Sequence, residues 1–432
     1  MKTAILGTGA MGCLFGAGIS KKNEVIMLCH RKEQADEINR YGITVYEPDK
    51  SCSYYKDNVS AYISGQYTES VDLLIVLTKT MATDEAMARN RHIISEKTLV
   101  LTLQNGGGNA AKLEKYCSKE QIFIGTTKHN CVNLGNGSIR HSGSGITYIG
   151  ANVSGVSAAS IVDIFHTAGF EVEESDNIRH LVWEKLFVNL SINSFTAIAR
   201  APIGACISNE NSWYFMEKLI CEAVDVAKAS GQNFSYFDVL TMVHKTCERV
   251  STGFSSMSQD VMNARRTEID CINGYVVEQA KLYNIRTPYN ELVQNLVHAV
   301  ENTYQYQEMP VCRYAADDII LEEGQDNTEL YKIIEGKCCA YLNYGKDDEY
   351  LLGILANGHC FGEMGSLVGK KERITVVAYE DSLIMKIPRE SQHRFISLNP
   401  ENAIDLMKMI IRNSDMISLN ASMMVDELKQ KR

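Results

Sequence analysis

Three polar residues interrupt an apolar stretch at a regular interval. Lys185, Asn189 and Asn193 stand at i, i+4 and i+8 among Leu186, Phe187, Val188, Leu190 and Ile192. On a helix this spacing puts one cation and two amides on a single face. Buried polar groups need partners, and a carbonyl compound bound in a cleft would supply them. A positioned ammonium can stabilise charge on a carbonyl oxygen and deliver a proton to it. Taken alone, the same residues also fit an asparagine pair capping nearby loops beside a surface lysine.

A second constellation lies at the start of the chain. Gly7-Thr8-Gly9-Ala10-Met11-Gly12 follows an apolar strand (Thr3 to Leu6) and precedes a helix expected over Met11 to Ile19. In that setting the three glycines serve a tight turn, close approach to a pyrophosphate, and helix–strand packing. The helix N-terminus then offers free N–H groups to phosphates. The next strand, Glu24 to Cys29, runs into His30-Arg31-Lys32, with no carboxylate until Glu33. An NAD site would put Asp or Glu there to hold the ribose hydroxyls. Arg31 and Lys32 instead suit a 2′-phosphate, so the expected cofactor is NADP(H). The competing reading is a solvated charge pair at a helix start.

The elements needed to position these groups are legible along the 432 residues, a length for about two to four domains. Further apolar runs at Asp72 to Leu77, Thr98 to Leu103 and Ile122 to Gly125 suit strands buried on both faces. Residues 136–151 read as a hairpin near the end of that α/β domain. From about Asn177 helices are expected over 177–200, 208–230, 236–250, 258–284 and 288–306. Gly231 and Gly253 stand at helix ends. After Tyr306, short β-like runs over 311–387 suggest a small barrel or jelly roll. Over 399–430 a long helix carries a coiled-coil-like seam from Ala403 to Leu428, fitting either packing on its own domain or homo-oligomerisation. The expected domains are thus 1–172, 173–308 and 309–432.

Composition narrows the function classes. The formal net charge of −10 argues against nucleic-acid binding, which needs a basic face. No apolar run reaches the roughly 18 residues of a membrane span, and the N-terminus reads as a strand rather than a signal peptide. The 13 cysteines form no C-x-x-C pair, so reduced thiols in a cytoplasmic protein are expected. No His/Cys cluster has metal-ligand spacing, and no metal is expected.

Laid beside later motifs, residues 1–306 resemble the ketopantoate reductase (2-dehydropantoate 2-reductase) family. The motifs are Gly7 to Gly16, Gln104-Asn105-Gly106, Trp183-Glu184-Lys185 through Asn193 with Thr196-Ala197, Ser255-Ser256-Met257-Ser258-Gln259-Asp260, and Arg266-Thr267-Glu268 through Gly274. The resemblance implies a Rossmann domain followed by an all-α domain of the 6-phosphogluconate-dehydrogenase-like type. It implies NADPH-dependent reduction of a 2-oxoacid, 2-dehydropantoate, to the 2-hydroxy acid of pantothenate synthesis. It makes Lys185 the general acid and Glu268 a catalytic group near the nicotinamide ribose. Ser256 would bind the substrate carboxylate, and Asn189 and Asn193 the substrate's hydroxyl and skeleton. Asn105 and Lys79 would line cofactor and cleft, and Arg31 would meet the 2′-phosphate. Two other readings stay open: a reductase of another branched 2-oxoacid, and a non-catalytic NADPH or nucleotide sensor.

Residues 311–432 resemble cyclic-nucleotide-binding domains of the catabolite-activator type. The resemblance rests on Glu323-Gly324, Tyr331 through Gly336, and Phe361-Gly362-Glu363-Met364-Gly365-Ser366-Leu367. The last run is similar to a phosphate-binding cassette, in which Glu363 would hold a ribose hydroxyl. The resemblance then calls for Arg followed by Ser or Thr. Anchored on the strand Thr375 to Ala378, those places hold Glu372 and Arg373. Anchored on Arg373, the hydroxyl place holds Ile374. Either way the phosphate site departs from the pattern, so a cyclic nucleotide competes as ligand with a fold kept for dimerisation or another ligand.

Overall fold

The computed structural model describes residues 1–49, 51–135, 137–304 and 309–389, with Ser391, Gln392, Phe395, Met407 and Ile411. The chain divides into two units, Met1–Ala299 and Val300–Arg432. The helix expected over 399–430 lies outside the described residues apart from Met407 and Ile411, and of its expected seam Met407 alone is among them. Among the described residues no helix is long and apolar enough to cross a membrane.

The first unit is built on an eight-stranded sheet. Its strands are β1 (Thr3–Leu6), β2 (Val25–Cys29), β5 (Val59–Ile63), β6 (Leu73–Val76), β7 (Leu99–Thr102), β8 (Ile122–Thr127), β11 (Thr147–Ala151) and β12 (Val172–Glu174). Their order is β12-β11-β8-β7-β6-β1-β2-β5. From β8 to β5 all neighbours are parallel, and β11 runs antiparallel to β8. Every residue of β1, β2 and β6 is buried, which is why these runs are apolar without alternation. The order reverses between β1 and β6, and ligands of such sheets sit beyond the strand ends at that point.

Helix α1 (Ala10–Ser20) is apolar on all sides, and its residues from Gly12 to Ser20 are buried. An all-apolar helix must be covered all round. A second sheet does so, with order β4-β3-β10-β9: β3 (Ile43–Tyr46), β4 (Cys52–Tyr55), β9 (Asn130–Gly135) and β10 (Ser138–Gly143). The single hairpin expected over 136–151 is therefore divided. β10 pairs with β9 in the small sheet, and β11 joins the large one. Ser144 and Gly145 lie where the chain changes sheet, and a Cβ on Gly145 would come within 2.7 Å of Lys128. Helices α2 (Lys32–Tyr41), α3 (Thr83–Asn90), α4 (Asn109–Leu113) and α5 (Ala159–Thr167) complete the layers.

The helices that follow are α6 (Ile178–Val188), α7 (Ser194–Ala199), α8 (Glu210–Ala229), α9 (Tyr236–Arg249), α10 (Ser256–Met262), α11 (Asn273–Leu282) and α12 (Pro288–Asn302). Two depart from expectation. Between α6 and α7, Asn189–Asn193 winds as a π-helix, so Lys185, Asn189 and Asn193 do not lie on one uniform α-helical face. The widened turn is held by side chains: Ser194 Oγ and Asn273 Nδ2 both donate to the Leu190 carbonyl, at 2.5 and 3.0 Å. The helix expected over 258–284 is broken. α10 stops at Met262, Ala264 takes the left-handed conformation at φ 50°, and α11 begins only at Asn273. Contacts to the sheet domain impose this break. Gly107 N donates to the Cys271 carbonyl at 2.8 Å, and a Cβ on Gly106 would lie 2.2 Å from that oxygen.

The second unit holds two four-stranded antiparallel sheets, with the short helix α13 (Glu363–Ser366) between β18 (Cys360–Phe361) and β19 (Thr375–Ala378). One sheet has the order β13-β20-β15-β18, with β13 (Val311–Tyr314), β15 (Glu329–Glu335) and β20 (Ser382–Pro388). The other is β14-β19-β16-β17, with β14 (Ile319–Leu321), β16 (Lys337–Leu342) and β17 (Tyr350–Ala356). Tyr331, Ile333, Phe361 and Ile384 of one sheet and Leu321, Cys338, Leu355 and Val376 of the other share a core. The β-rich unit expected after Tyr306 is thus a two-sheet sandwich.

Candidate active site

The candidate groups converge on the C-terminal ends of adjacent strands. β1 leads into the glycine turn, β6 into Lys79, β7 into Asn105, and β8 ends at Thr127.

The turn's glycines do three different things. Gly7 adopts φ +107°, and a Cβ there would lie 2.5 Å from the backbone of Leu77 and Thr78. A Cβ on Gly12 would lie 2.0 Å from the Gly7 carbonyl. Gly9 has nothing within 4 Å of its Cβ position and is exposed. Gly9 also caps α1 without a side-chain bond, and the first turn carries no acid. An open cradle before free N–H groups fits the pyrophosphate of a dinucleotide. Thr8 is buried, and Gln34 locks it: Thr8 Oγ1 donates to Gln34 Oε1 at 2.9 Å, and Gln34 Nε2 donates to the Thr8 carbonyl at 2.7 Å. Ala10 and Met11 open the helix half-buried, and Arg31 is exposed at the start of α2.

Across from the strand ends, Lys185 Nζ donates to the Thr127 carbonyl at 3.1 Å. Burial lowers its pKa to about 8, against the opposing pull of Glu268. Glu268 lies in the break before α11, with its side chain 10% exposed. It accepts from the Thr80 amide and from Asn105 Nδ2, each at 3.4 Å. Lys79 Nζ stands 3.8 Å from Glu268 and 2.7 Å from Asp260 Oδ2. Burial works to lower the Lys79 pKa, but the two carboxylates hold it above its usual range.

The structure thus joins Lys79, Asn105 and Glu268 directly and brings Lys185 into the field of Glu268. Asn189 and Asn193 bound the π-helical turn that continues from Lys185, and Asn193 is 7% exposed. Ser256 stands exposed on the first turn of α10. No hydrogen bond links it to Lys185, Glu268 or Asn105 among the described residues. Its neighbour Ser255 is the buried cap, accepting from Ser258 N at 3.1 Å and bonded to Thr196 Oγ1 at 2.7 Å. Sequence reasoning assigned no role to Asp260, Gln34 or the Thr127 carbonyl. Asp260 stands in a motif already quoted, and its single carboxylate was the available signal. A backbone carbonyl leaves none.

The chain is similar to known proteins along most of its length. Residues 3–154 match the model described as ketopantoate reductase PanE/ApbA, and 177–301 that described as ketopantoate reductase PanE/ApbA C terminal. Residues 311–399 match the cyclic nucleotide-binding domain. The 2-dehydropantoate 2-reductase of Halobacterium salinarum is 32% identical over 306 residues, covering 70% of this chain and 99% of its own. That of Lactococcus lactis subsp. lactis is 32% identical over 309 residues, covering 70% and 98%. Among solved structures, a PanE/ApbA family ketopantoate reductase from Ralstonia eutropha JMP134 is similar at TM-score 0.65 and 30% identity, covering 71% of this chain and 100% of its own. D-mandelate dehydrogenase in ternary complex with NADH and anilino(oxo)acetate is similar at TM-score 0.67 and 28% identity, covering 70% and 99%.

Proposed function

Because the chain belongs to the ketopantoate reductase family, we propose that it reduces 2-dehydropantoate to pantoate with NADPH, using Lys185 as general acid. The observation that carries this reading is the Lys185 ammonium. It is held by one carbonyl at 3.1 Å and brought by burial to a pKa of about 8, close to the working pH that suits proton transfer.

The glycine turn would hold a reduced nicotinamide dinucleotide, which when bound would supply the hydride; this chain's residues would bind, orient and protonate the substrate. Lys185 Nζ gives its proton to the substrate's carbonyl oxygen as the keto carbon becomes an alcohol carbon, and solvent returns the proton to the lysine. Glu268 favours the charged lysine before transfer. Asn105, tied to Glu268, spans the cofactor and substrate sides. Asn189 and Asn193 orient the substrate's hydroxyl and skeleton, and exposed Ser256 receives its carboxylate. Lys79, anchored by Asp260, presents a cation between nucleotide and cleft.

Exposed Arg31 favours the 2′-phosphate of NADPH, while the D-mandelate dehydrogenase neighbour is described with NADH. Arg31→Ala should cut the NADPH-over-NADH ratio of kcat/KM by about tenfold or more, the loss of a charged hydrogen bond. A ratio unchanged in the variant would remove Arg31 from the cofactor site.

That same neighbour favours a second reading, reduction of a 2-oxoacid with another side chain. NADPH oxidation measured with 2-dehydropantoate, branched aliphatic and aromatic 2-oxoacids separates the two. The first reading expects the highest kcat/KM with 2-dehydropantoate. Turnover with none of them would leave the sensor reading.

A further inference from the structure

The resemblance to cyclic-nucleotide-binding domains implies a cation beside the ligand's phosphate, and in the register anchored on β19 this chain holds Glu372 at that place. Glu372 is 4% exposed, whereas Arg373 beside it is exposed. Burial thus favours the register anchored on β19, with the acid inside. Glu372 Oε1 accepts from Gly365 N at 2.9 Å and from Asn327 Nδ2 at 2.8 Å.

The surroundings are shaped to this oxygen. A Cβ on Gly365 would lie 2.7 Å from it and 2.5 Å from the Asn327 carbonyl, so only glycine fits. Asn327 is itself buried, and its Nδ2 also bonds the Glu329 and Gly362 carbonyls at 2.7 and 3.2 Å. The backbone around Glu372 is clamped as well. Its N–H donates to Gln325 O at 3.1 Å, and its carbonyl accepts from Gly324 N at 2.8 Å. Arg389 donates to the carbonyls of Gly365 and Ser366, at 2.9 and 3.1 Å.

We propose that Glu372 is the resident anion of this domain: its carboxylate takes from within the chain the place of a ligand's phosphate, and the cassette stays closed without cyclic nucleotide. A buried carboxylate is tolerable only when hydrogen-bonded, and the Gly365 amide and Asn327 side chain meet that need. A cyclic phosphate entering beside it would meet like charge at close range and find both donors taken. The inference is independent of the reductase reading.

The test is calorimetric titration of the full chain with cyclic AMP and cyclic GMP, beside the variants Glu372→Arg and Glu372→Ala. The expected result is no saturable heat for the unaltered chain at millimolar nucleotide. Glu372→Arg, which restores the cation, should bind at least about tenfold more tightly than the unaltered chain. Saturable binding by the unaltered chain overturns the proposal. So do folded variants that bind no better. Should neither variant fold, hydrogen exchange in the unaltered chain decides. Slow exchange of the Gly365 amide, unmoved by cyclic AMP, supports the proposal; fast exchange, or protection gained with the nucleotide, overturns it.

Discussion

Two opposing influences act on Lys185. Burial withdraws its charge, and Glu268 restores part of it. With Lys185 as the proposed general acid, the protonated form acts in the reducing direction, so kcat/KM should be full at neutral pH and fall as pH rises through about 8. Glu268→Gln removes the raising influence, and the fall should begin at lower pH. Initial rates from neutral to alkaline pH check this; a limb that stays put or moves to higher pH contradicts the coupling. In the oxidising direction the neutral amine accepts the proton, and the rate should rise through the same pH. Lys185 could be picked out as a candidate because polar residues recur along an apolar helix, but its proposed role came from the family resemblance. Asp260 and Gln34 could not be picked out, because their meaning lies in partners 181 and 26 residues away.

At the scale of elements, the site depends on two irregularities. The π-helical turn is stabilised by Asn273, which is fully buried and shared between the Leu190 carbonyl and Asn290 Oδ1. Asn273→Leu keeps the volume and removes both bonds. Denaturant unfolding should show a loss of about 1–3 kcal/mol, the cost of a buried polar group left unsatisfied. KM for the oxoacid should rise more than KM for the cofactor. An unchanged stability would mean that Ser194, the other donor to that carbonyl, suffices. The glycine turn gives the opposite pattern. Gly12→Ala puts a methyl 2.0 Å from the Gly7 carbonyl, so NADPH binding measured by fluorescence should weaken before substrate binding does. Both the parallel strands and the glycine turn could be read from pattern, since burial on two faces and tight turns restrict residue type. Neither the π turn nor the break before Glu268 could. No proline or glycine marks them, and tertiary hydrogen bonds override local helical preference there.

At the scale of the molecule, the relatives match nearly their whole length within about the first 70% of this chain, and the sandwich comes after. A chain cut between Tyr304 and Met309 should therefore fold and keep its oxoacid reduction. Circular dichroism and NADPH oxidation check this; folded but inactive material would assign the second unit a part in the chemistry. The sandwich itself was legible from its short β-runs, and the departure at Glu372 was visible as well. Whether that acid faces inward depended on a register that two anchors left open, and burial decided it.

The most direct test of the account is turnover by Lys185→Ala. NADPH oxidation with the best 2-oxoacid should fall by about 10²–10⁴-fold, the usual contribution of a general acid, while NADPH affinity stays within about twofold of the unaltered chain. Turnover preserved in that variant, with the cofactor still bound, would contradict the assignment of the proton donor.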